Sequence, residues 1–507
     1  LRFGSFAEKS AHQRYRMNLI LAFANAARLD FSKTALFWGE SRFSYGQFWA
    51  QTLSVSEKLR GGLGVGPGDR VALWLKNCPE FVPALFGVWQ AGAAAVPINN
   101  FLKPAEVQFI LADAGIQTVI LDESMRESFA QVAAERAGLK ALFVESIGTQ
   151  SDGNAEPRTG LGEGDLAVIV YTSGTTGHPK GAMLSHGNLL ANIESCRDVL
   201  RAVGEDRFVV LLPMFHSFML TVGVVLPMLI GGSIVLIRTL HPPKNVLAEI
   251  IQHQATLLPA VPPFFRALAH NPGPLDLPLR VCISGGAPLP VETLRAFSAR
   301  FAIPLLEGYG LSEASPVVSF TPIEGPWKAG SIGKPVSGVE MSIQSDAGEM
   351  LPPGQAGELC VRGRNVMLGY WNQPAATAEA MRGRWLLTGD IGYADPDGYY
   401  FITDRKKDML LVNGINVYPR EIEEVLYGFP GVREAAVIGI PDARKGEQPL
   451  AFVAAHDGAT LEEQSLLEFL RERLADYKVP RKVIFLPALP RNPTGKFLKT
   501  ELRKMAK

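Results

Sequence analysis

The 507-residue sequence has only four cysteines, Cys78, Cys196, Cys282 and Cys360, and no two form a C-x-x-C pair. That argues against a disulfide framework or a cysteine zinc site and fits a reducing, cytoplasmic compartment. Net charge is also absent, with 50 Lys+Arg against 50 Asp+Glu. A nucleic-acid partner recruited by bulk positive charge is therefore not expected. There is no internal repeat and no low-complexity tract, which argues against a solenoid or a disordered array. Residues 208–237 contain no Asp, Glu, Lys or Arg. Such a length could span a bilayer. However, Pro213, His216, Pro227 and the pair Gly231-Gly232 interrupt it. It reads as a strand at 209–212, a helix at 218–229 and a strand at 233–237, a buried β-α-β unit. Its apolar face is still compatible with peripheral contact to membrane lipid.

A chain of this length is too long for one hydrophobic core, so at least two domains are expected. Residues 14–30, RYRMNLILAFANAARLD, resemble a signal peptide in having a basic start and an apolar core. Asn18, Asn25 and Arg28 interrupt that core, and an amphipathic first helix ended by Asp30 is the better reading. Strand-like apolar runs alternate with helical stretches over the first 320 residues, the rhythm of parallel α/β sheets. From 338 to 403 short alternating strands with Gly, Pro and Asp turns take over, which reads as a small β-rich, barrel-like subdomain. The charged run 404–408, DRKKD, is the best domain boundary. A helix at 419–427, strands at 432–440 and 450–455 and a helix at 461–474 follow. The expected fold class is α/β. A large N-terminal domain (1–403) has two parallel-rich α/β subdomains and a β-barrel-like one. A hinge (404–408) leads to a small α+β C-terminal domain (409–507).

Residues 171–181 read YTSGTTGHPKG, directly after the apolar run 166–170. Glycines let backbone N–H groups approach phosphate oxygens, hydroxyls donate hydrogen bonds or ligate a cation, and Lys180 adds a point charge. The P-loop pattern GxxxxGK[ST] cannot be laid on it. Four further stretches carry chemistry: VCISGGAP at 281–288, EGYGLSE at 307–313, WLLTGD at 385–390 and PRNPTGKFLK at 490–499. Taken singly they are weak. Glu313 reads as readily as a helix-start carboxylate near a positive dipole end, and a lysine near a terminus is usually just solvated.

Together these stretches, spread over nearly the whole chain, resemble the signatures of the adenylate-forming superfamily of acyl-CoA synthetases, peptide-synthetase adenylation domains and luciferases. The resemblance implies an ATP site. Thr172, Ser173, Gly174, Thr175, Thr176, Gly177 and Lys180 would hold phosphates. Gly285, Gly286 and Ala287 would carry the adenine beyond a strand end. Glu307, Gly308, Tyr309 and Gly310 would line the nucleotide, with Tyr309 facing the adenine. Ser312, where threonine is commoner, would bond the α-phosphate. Glu313 and the Thr172 hydroxyl would hold Mg²⁺, a hard cation that prefers oxygen ligands. Asp390 would accept the ribose hydroxyls, and Arg405 would add a ribose or phosphate contact. Lys496 falls at the family's catalytic lysine and Lys407 at its hinge, with Asn413 and Gly414 in the loop lining the pantetheine tunnel.

The implied reaction joins a carboxylic acid to ATP as an acyl-AMP and then passes the acyl group to the thiol of CoA. Segment 213–218 aligns with the family's acyl pocket, whose walls would be His216, Phe218, Val261, Pro263, Phe264, Gly308, Pro316 and Val317. His216 reads either as a gate and orienting residue or as a hydrogen-bonded, semi-buried histidine. There is no aspartate between Asp206 and Asp276 to hold an amino-acid ammonium. The walls offer no cation for a second carboxylate either. A medium- or long-chain fatty acid is the expected substrate, since several stretches resemble bacterial long-chain fatty-acid:CoA ligases. The alternatives are an aromatic acid, or transfer to a carrier-protein phosphopantetheine. A non-catalytic sensor is disfavoured by Glu313, Asp390 and Lys496. Such a protein would be a monomer or a homodimer.

Overall fold

The computed structural model describes residues 17–148, 156–158, 160–172, 179–240, 242–413, 415–442, 444–492 and 495–506. Two mixed sheets build most of the large domain. The first runs Gly369–Tyr370, Lys180–Ser185, Leu166–Thr172, Ala94–Pro97, Arg70–Trp74, Thr118–Leu121, Lys140–Phe143 from edge to edge. Its last five strands are parallel, and the first two pair antiparallel. Successive side chains in a strand point to opposite faces. Val71 and Leu73 accordingly enter a core shared with the second sheet, while Ala72 and Trp74 enter a separate core with Val107, Leu111 and Val132. Burial on both faces is why these strands read as unbroken apolar runs.

The second sheet runs Lys334–Pro335, Val317–Phe320, Leu305–Gly310, Val281–Ser284, Leu257–Ala260, Arg207–Val210, Ser233–Leu236, Thr34–Trp38, Ser41–Ser44. The six central strands are parallel. Helix Leu19–Leu29, capped by the Asn18 side chain, buries Leu19, Ile20, Phe23 and Ala27 in the shared core, so the signal-like segment is structural from Asn18 onward. The uncharged stretch supplies the neighbouring strands Arg207–Val210 and Ser233–Leu236. Its helix is not regular: a π-helical turn, Met219–Val225, precedes Leu226–Ile230. Pro227 has no N–H to donate, and the wide turn sits just before it. Among the described residues no helix is long and apolar enough to cross a membrane.

A five-stranded antiparallel sheet follows, in which Trp385–Ala394 pairs with Gly357–Gly363 on one side and with Met381–Arg382 and Tyr400–Arg405 on the other. The small domain has its own sheet of Ile415–Val417, Leu410–Val412, Gly446–Ala455, Val432–Asp442 and Val483–Phe485. Strand parity again splits its core. Val437 and Val453 pack with Ile422 and Leu466, whereas Ile438 and Phe452 pack with Leu489 and Leu502. Between the two domains the chain turns tightly. Lys406 N–H donates to Gly389 C=O (2.8 Å) and Met409 N–H to Arg405 C=O (3.0 Å).

Candidate active site

Strands of all three large-domain sheets and one loop of the small domain carry the expected site residues. Trp385–Ala394 and Tyr400–Arg405 pair so that Asp390 and Arg405 lie opposite each other. Arg405 Nε is 3.0 Å from Asp390 Oδ1, and Tyr309 Oη donates to Asp390 Oδ2 at 2.5 Å. Asp390 raises the Arg405 pKa further. Burial, and then Asp390, push the Tyr309 phenol well up, so it stays a donor. Asp390 is buried and both its oxygens are engaged, but each oxygen keeps a lone pair for a further donor.

Past Gly310 the chain turns through Ser312–Ala314. Gly310 has no space for a side chain, since a Cβ there would lie 2.0 Å from Pro316 O. The turn presents Ser312, whose Oγ is 3.0 Å from Ser217 Oγ, and Glu313, whose Oε1 accepts from Tyr370 Oη at 2.9 Å. Thr172 pairs in register with Lys180, and its hydroxyl donates to Lys180 C=O at 3.4 Å. Ser173, Gly174, Thr175, Thr176 and Gly177 lie outside the described residues, as does Gly414.

Gly285, Gly286 and Ala287 follow the strand Val281–Ser284. The Phe218 ring packs on Gly285, where a Cβ would stand 3.2 Å from Phe218 Cζ. Val261 lies within contact distance of both Gly286 and Gly495, as a Cβ on either would come within 3.8 Å of a Val261 methyl. The Gly495–Lys496 loop of the small domain therefore rests against the wall formed by Val261. Asn492 braces that loop, accepting from Lys496 N–H at 2.8 Å. Lys496 is exposed in this arrangement, and the protein packed around it lowers its ammonium pKa to about 8. Arg405 and Lys407 add repulsion, and Asp390 and Asp408 oppose it. On the other side stands His216, whose pKa falls to about 4 through burial, with Lys496 contributing. His216 is therefore a neutral ring, and its Nδ1 accepts from Phe218 N–H at 3.4 Å.

Several expected residues stand apart from this group. Glu307 turns inward: its Oε1 accepts from Leu289 N–H at 3.0 Å. Burial raises its pKa to about 7, with the small-domain Arg420 opposing. Pro316 and Val317 are buried, and both backbone groups of Val317 bond the Asn192 side chain. Gly308 backs onto Phe320. Pro263 and Phe264 are half-buried on helix Pro262–Ala269 beside Val261. The one charged side chain of that helix, Arg266, is lowered in pKa chiefly by burial, and its titratable neighbours Tyr427, Glu434, Arg491 and Arg433 belong to the small domain. Lys407 is exposed in the interdomain turn. Asn413 sits at a hairpin tip with φ +53°, its N–H on Lys445 C=O at 2.8 Å.

Three residues not anticipated from the sequence brace segments that carry expected residues. Asn77 clamps the segment before His216, donating to Leu212 C=O and accepting from Met214 N–H, each at 2.9 Å. Asn192 does the same for Val317, and Tyr370 holds Glu313. The only sequence signal for the asparagines is a polar residue within an apolar pattern.

The donor set suits Mg²⁺. Glu313 offers one carboxylate and Thr172 one hydroxyl, and no cluster of three or more His, Cys, Asp or Glu occurs among the described residues. Such a site fits a cation held largely by substrate phosphates and water.

The AMP-binding enzyme family model matches residues 23–371, and that of the AMP-binding enzyme C-terminal domain matches 421–496. A feruloyl-CoA synthase from an Amycolatopsis species is 38% identical, covering 94% of this chain and 97% of that protein. A long-chain-fatty-acid–CoA ligase from Bacillus subtilis is 35% identical, covering 94% and 92%. Among solved structures, ATP-bound MatB from Rhodopseudomonas palustris superposes with a TM-score of 0.89 at 34% identity, covering 96% and 99%. The anthranilate CoA ligase AuaEII, in complex with anthranoyl-AMP, gives 0.90 at 28%, covering 97% and 98%.

Proposed function

The chain belongs to the AMP-binding enzyme family and is an acid–CoA ligase of that family, and from this premise we propose that it activates an uncharged-tail monocarboxylic acid, a medium- or long-chain fatty acid, in two steps. What supports the proposal is the seating of the Gly495–Lys496 loop against Val261, which brings Lys496 to the side of the large domain that carries His216, Asp390 and Arg405.

A carboxylic acid is already ionised at neutral pH, so no general base is needed. The obstacle is bringing one anion to another, and catalysis is charge cancellation with in-line positioning. Asp390, fixed by Tyr309 and Arg405, receives the ribose hydroxyls. Lys180 faces the phosphates, and Mg²⁺, when bound at Glu313 and Thr172, supplies further neutralisation of phosphate charge. Lys496 bridges the attacking carboxylate and the α-phosphate. The new C–O–P linkage forms as the bond to pyrophosphate breaks. In the second step the CoA sulfur attacks the acyl carbonyl and AMP departs. The small domain swings about Lys407 between the steps, withdrawing Lys496 and bringing in the hairpin of Asn413.

The acid site is read from His216, Phe218, Val261, Pro263 and Phe264, an apolar wall with one neutral ring. Its neighbour Arg266 serves the domain interface instead, so a second carboxylate has no partner there. An aromatic acid is the second reading. It is favoured by the likeness to feruloyl-CoA synthase and by the flat ring of Phe218 lying on Gly285. Acid-dependent ATP–pyrophosphate exchange over fatty and aromatic acids tests the proposal, followed by AMP release with CoA against a carrier protein. Fatty acids should support exchange and CoA should drive AMP release. Exchange with aromatic acids alone would select the second reading, and exchange with no acid would refute both.

A further inference from the structure

Tyr370 stands between two groups of opposite charge. It lies in the two-residue strand Gly369–Tyr370, which pairs with Lys180–Ser185, the strand leaving the phosphate loop. Its hydroxyl donates to Glu313 Oε1 at 2.9 Å, and Lys180 Nζ lies 5.2 Å from the centre of its ring. The backbone around it is pinned from both sides. Tyr370 N–H donates to Thr377 Oγ1 at 2.9 Å, and Trp371 N–H donates to Gly181 C=O at 2.7 Å. Glu313 is tied to the same segment a second time, because Met367 N–H donates to its C=O at 2.8 Å. A hydrogen bond to a carboxylate is among the stronger neutral-to-charged contacts. An ammonium over an aromatic face is held without being neutralised.

We propose that Tyr370 is a positioning residue for the adenylation step: its hydroxyl aims the Glu313 carboxylate and its ring keeps Lys180 close but unpaired, so that both charges face the phosphates instead of each other. The geometry gives the reason a tyrosine is needed. Among the described residues no ion pair joins Lys180 to Glu313, although both stand against the same side chain. With the tyrosine shortened, carboxylate and ammonium are free to collapse into a pair, which would remove a metal ligand and a phosphate contact together. The inference rests on the reading of Glu313 as the metal carboxylate.

The test is Mn²⁺ affinity in the ATP complex, read by electron paramagnetic resonance, alongside pyrophosphate exchange, in Tyr370→Phe, Tyr370→Leu and Glu313→Gln. Tyr370→Phe keeps the ring and loses the hydrogen bond. It should weaken Mn²⁺ binding and slow exchange by about 10-fold, with KM for the acid unchanged. Tyr370→Leu should lose about 3-fold more as Lys180 loses its ring. If Glu313→Gln abolishes tight Mn²⁺ binding while Tyr370→Phe leaves it at the wild-type value, the inference is overturned. If Glu313→Gln itself leaves Mn²⁺ binding intact, the underlying reading of Glu313 fails instead.

Discussion

On the large-domain side of the site the charged groups are tied at their tips: Asp390 between Tyr309 and Arg405, and Glu313 under Tyr370. Lys496, on the small-domain side, is tied through its backbone at Asn492, and its exposed ammonium has no tie at its tip among the described residues but feels the charges of Arg405 and Asp390. The difference separates two tasks. A nucleotide site has to be preformed, because hydrogen bonds that need no rearrangement at the moment of reaction are the effective ones. In the proposed reaction the Lys496 charge has to be removable, because a lysine suited to joining two anions has no use once a thiol attacks the acyl-AMP.

Lys496→Ala breaks the comparison most severely. Acid-dependent pyrophosphate exchange should fall about 100-fold or more, the cost of losing a preorganised charge. Thioester formation from supplied acyl-AMP should change little. Equal loss of both half-reactions, measured separately, would mean that Lys496 is structural. A smaller effect is expected at the domain seam. Arg420 donates to Ile402 C=O at 2.9 Å and offsets the buried Glu307, while its own N–H bonds Asp404 Oδ2. Arg420→Ala should slow exchange by about 3- to 10-fold by loosening the closed arrangement. It should spare or speed the thioester step, and stopped-flow of each half-reaction distinguishes these outcomes. His216 gives the smallest effect. Its pKa near 4 makes it uncharged at neutral pH. His216→Gln should raise KM for the acid by less than about 10-fold and leave the neutral part of the pH profile in place.

The same contrast explains what could be read from the sequence. Asp390, Glu313 and Lys496 stand out in the sequence because each lies in a short run that resembles a family signature, and the structure sets Asp390 against Tyr309 and Arg405 and Glu313 against Tyr370. The parallel sheets were legible because burial on both faces leaves unbroken apolar strands. Tyr370 and Asn77 were not, since each acts on a partner far away in sequence, 57 residues for Tyr370 and Glu313, and only the packing of one sheet against the other brings them together. Glu307 illustrates the converse. It lies two residues before Tyr309 in the strand Leu305–Gly310, the spacing of a shared face, yet its carboxylate accepts from Leu289 N–H and is offset by Arg420 instead of joining Asp390. The helix at 218–229 was recognisable as helix, though not its π-turn, because hydrophobic period does not register a change in hydrogen-bond spacing ahead of Pro227.

The most direct test of delivered charge is the alkaline limb of kcat/KM for the acid in pyrophosphate exchange, which reports groups of the free enzyme. The active form carries the ammonium, so activity is present below the Lys496 pKa and lost as pH rises through it. Burial sets that value at about 8, and Asp390 is the first group supporting the charge. The wild-type limb should therefore fall near 8. In Asp390→Asn it should move to lower pH, and in Lys496→Arg it should vanish from the accessible range. A limb that stays in place in both variants would contradict the delivery of Lys496 into the nucleotide site.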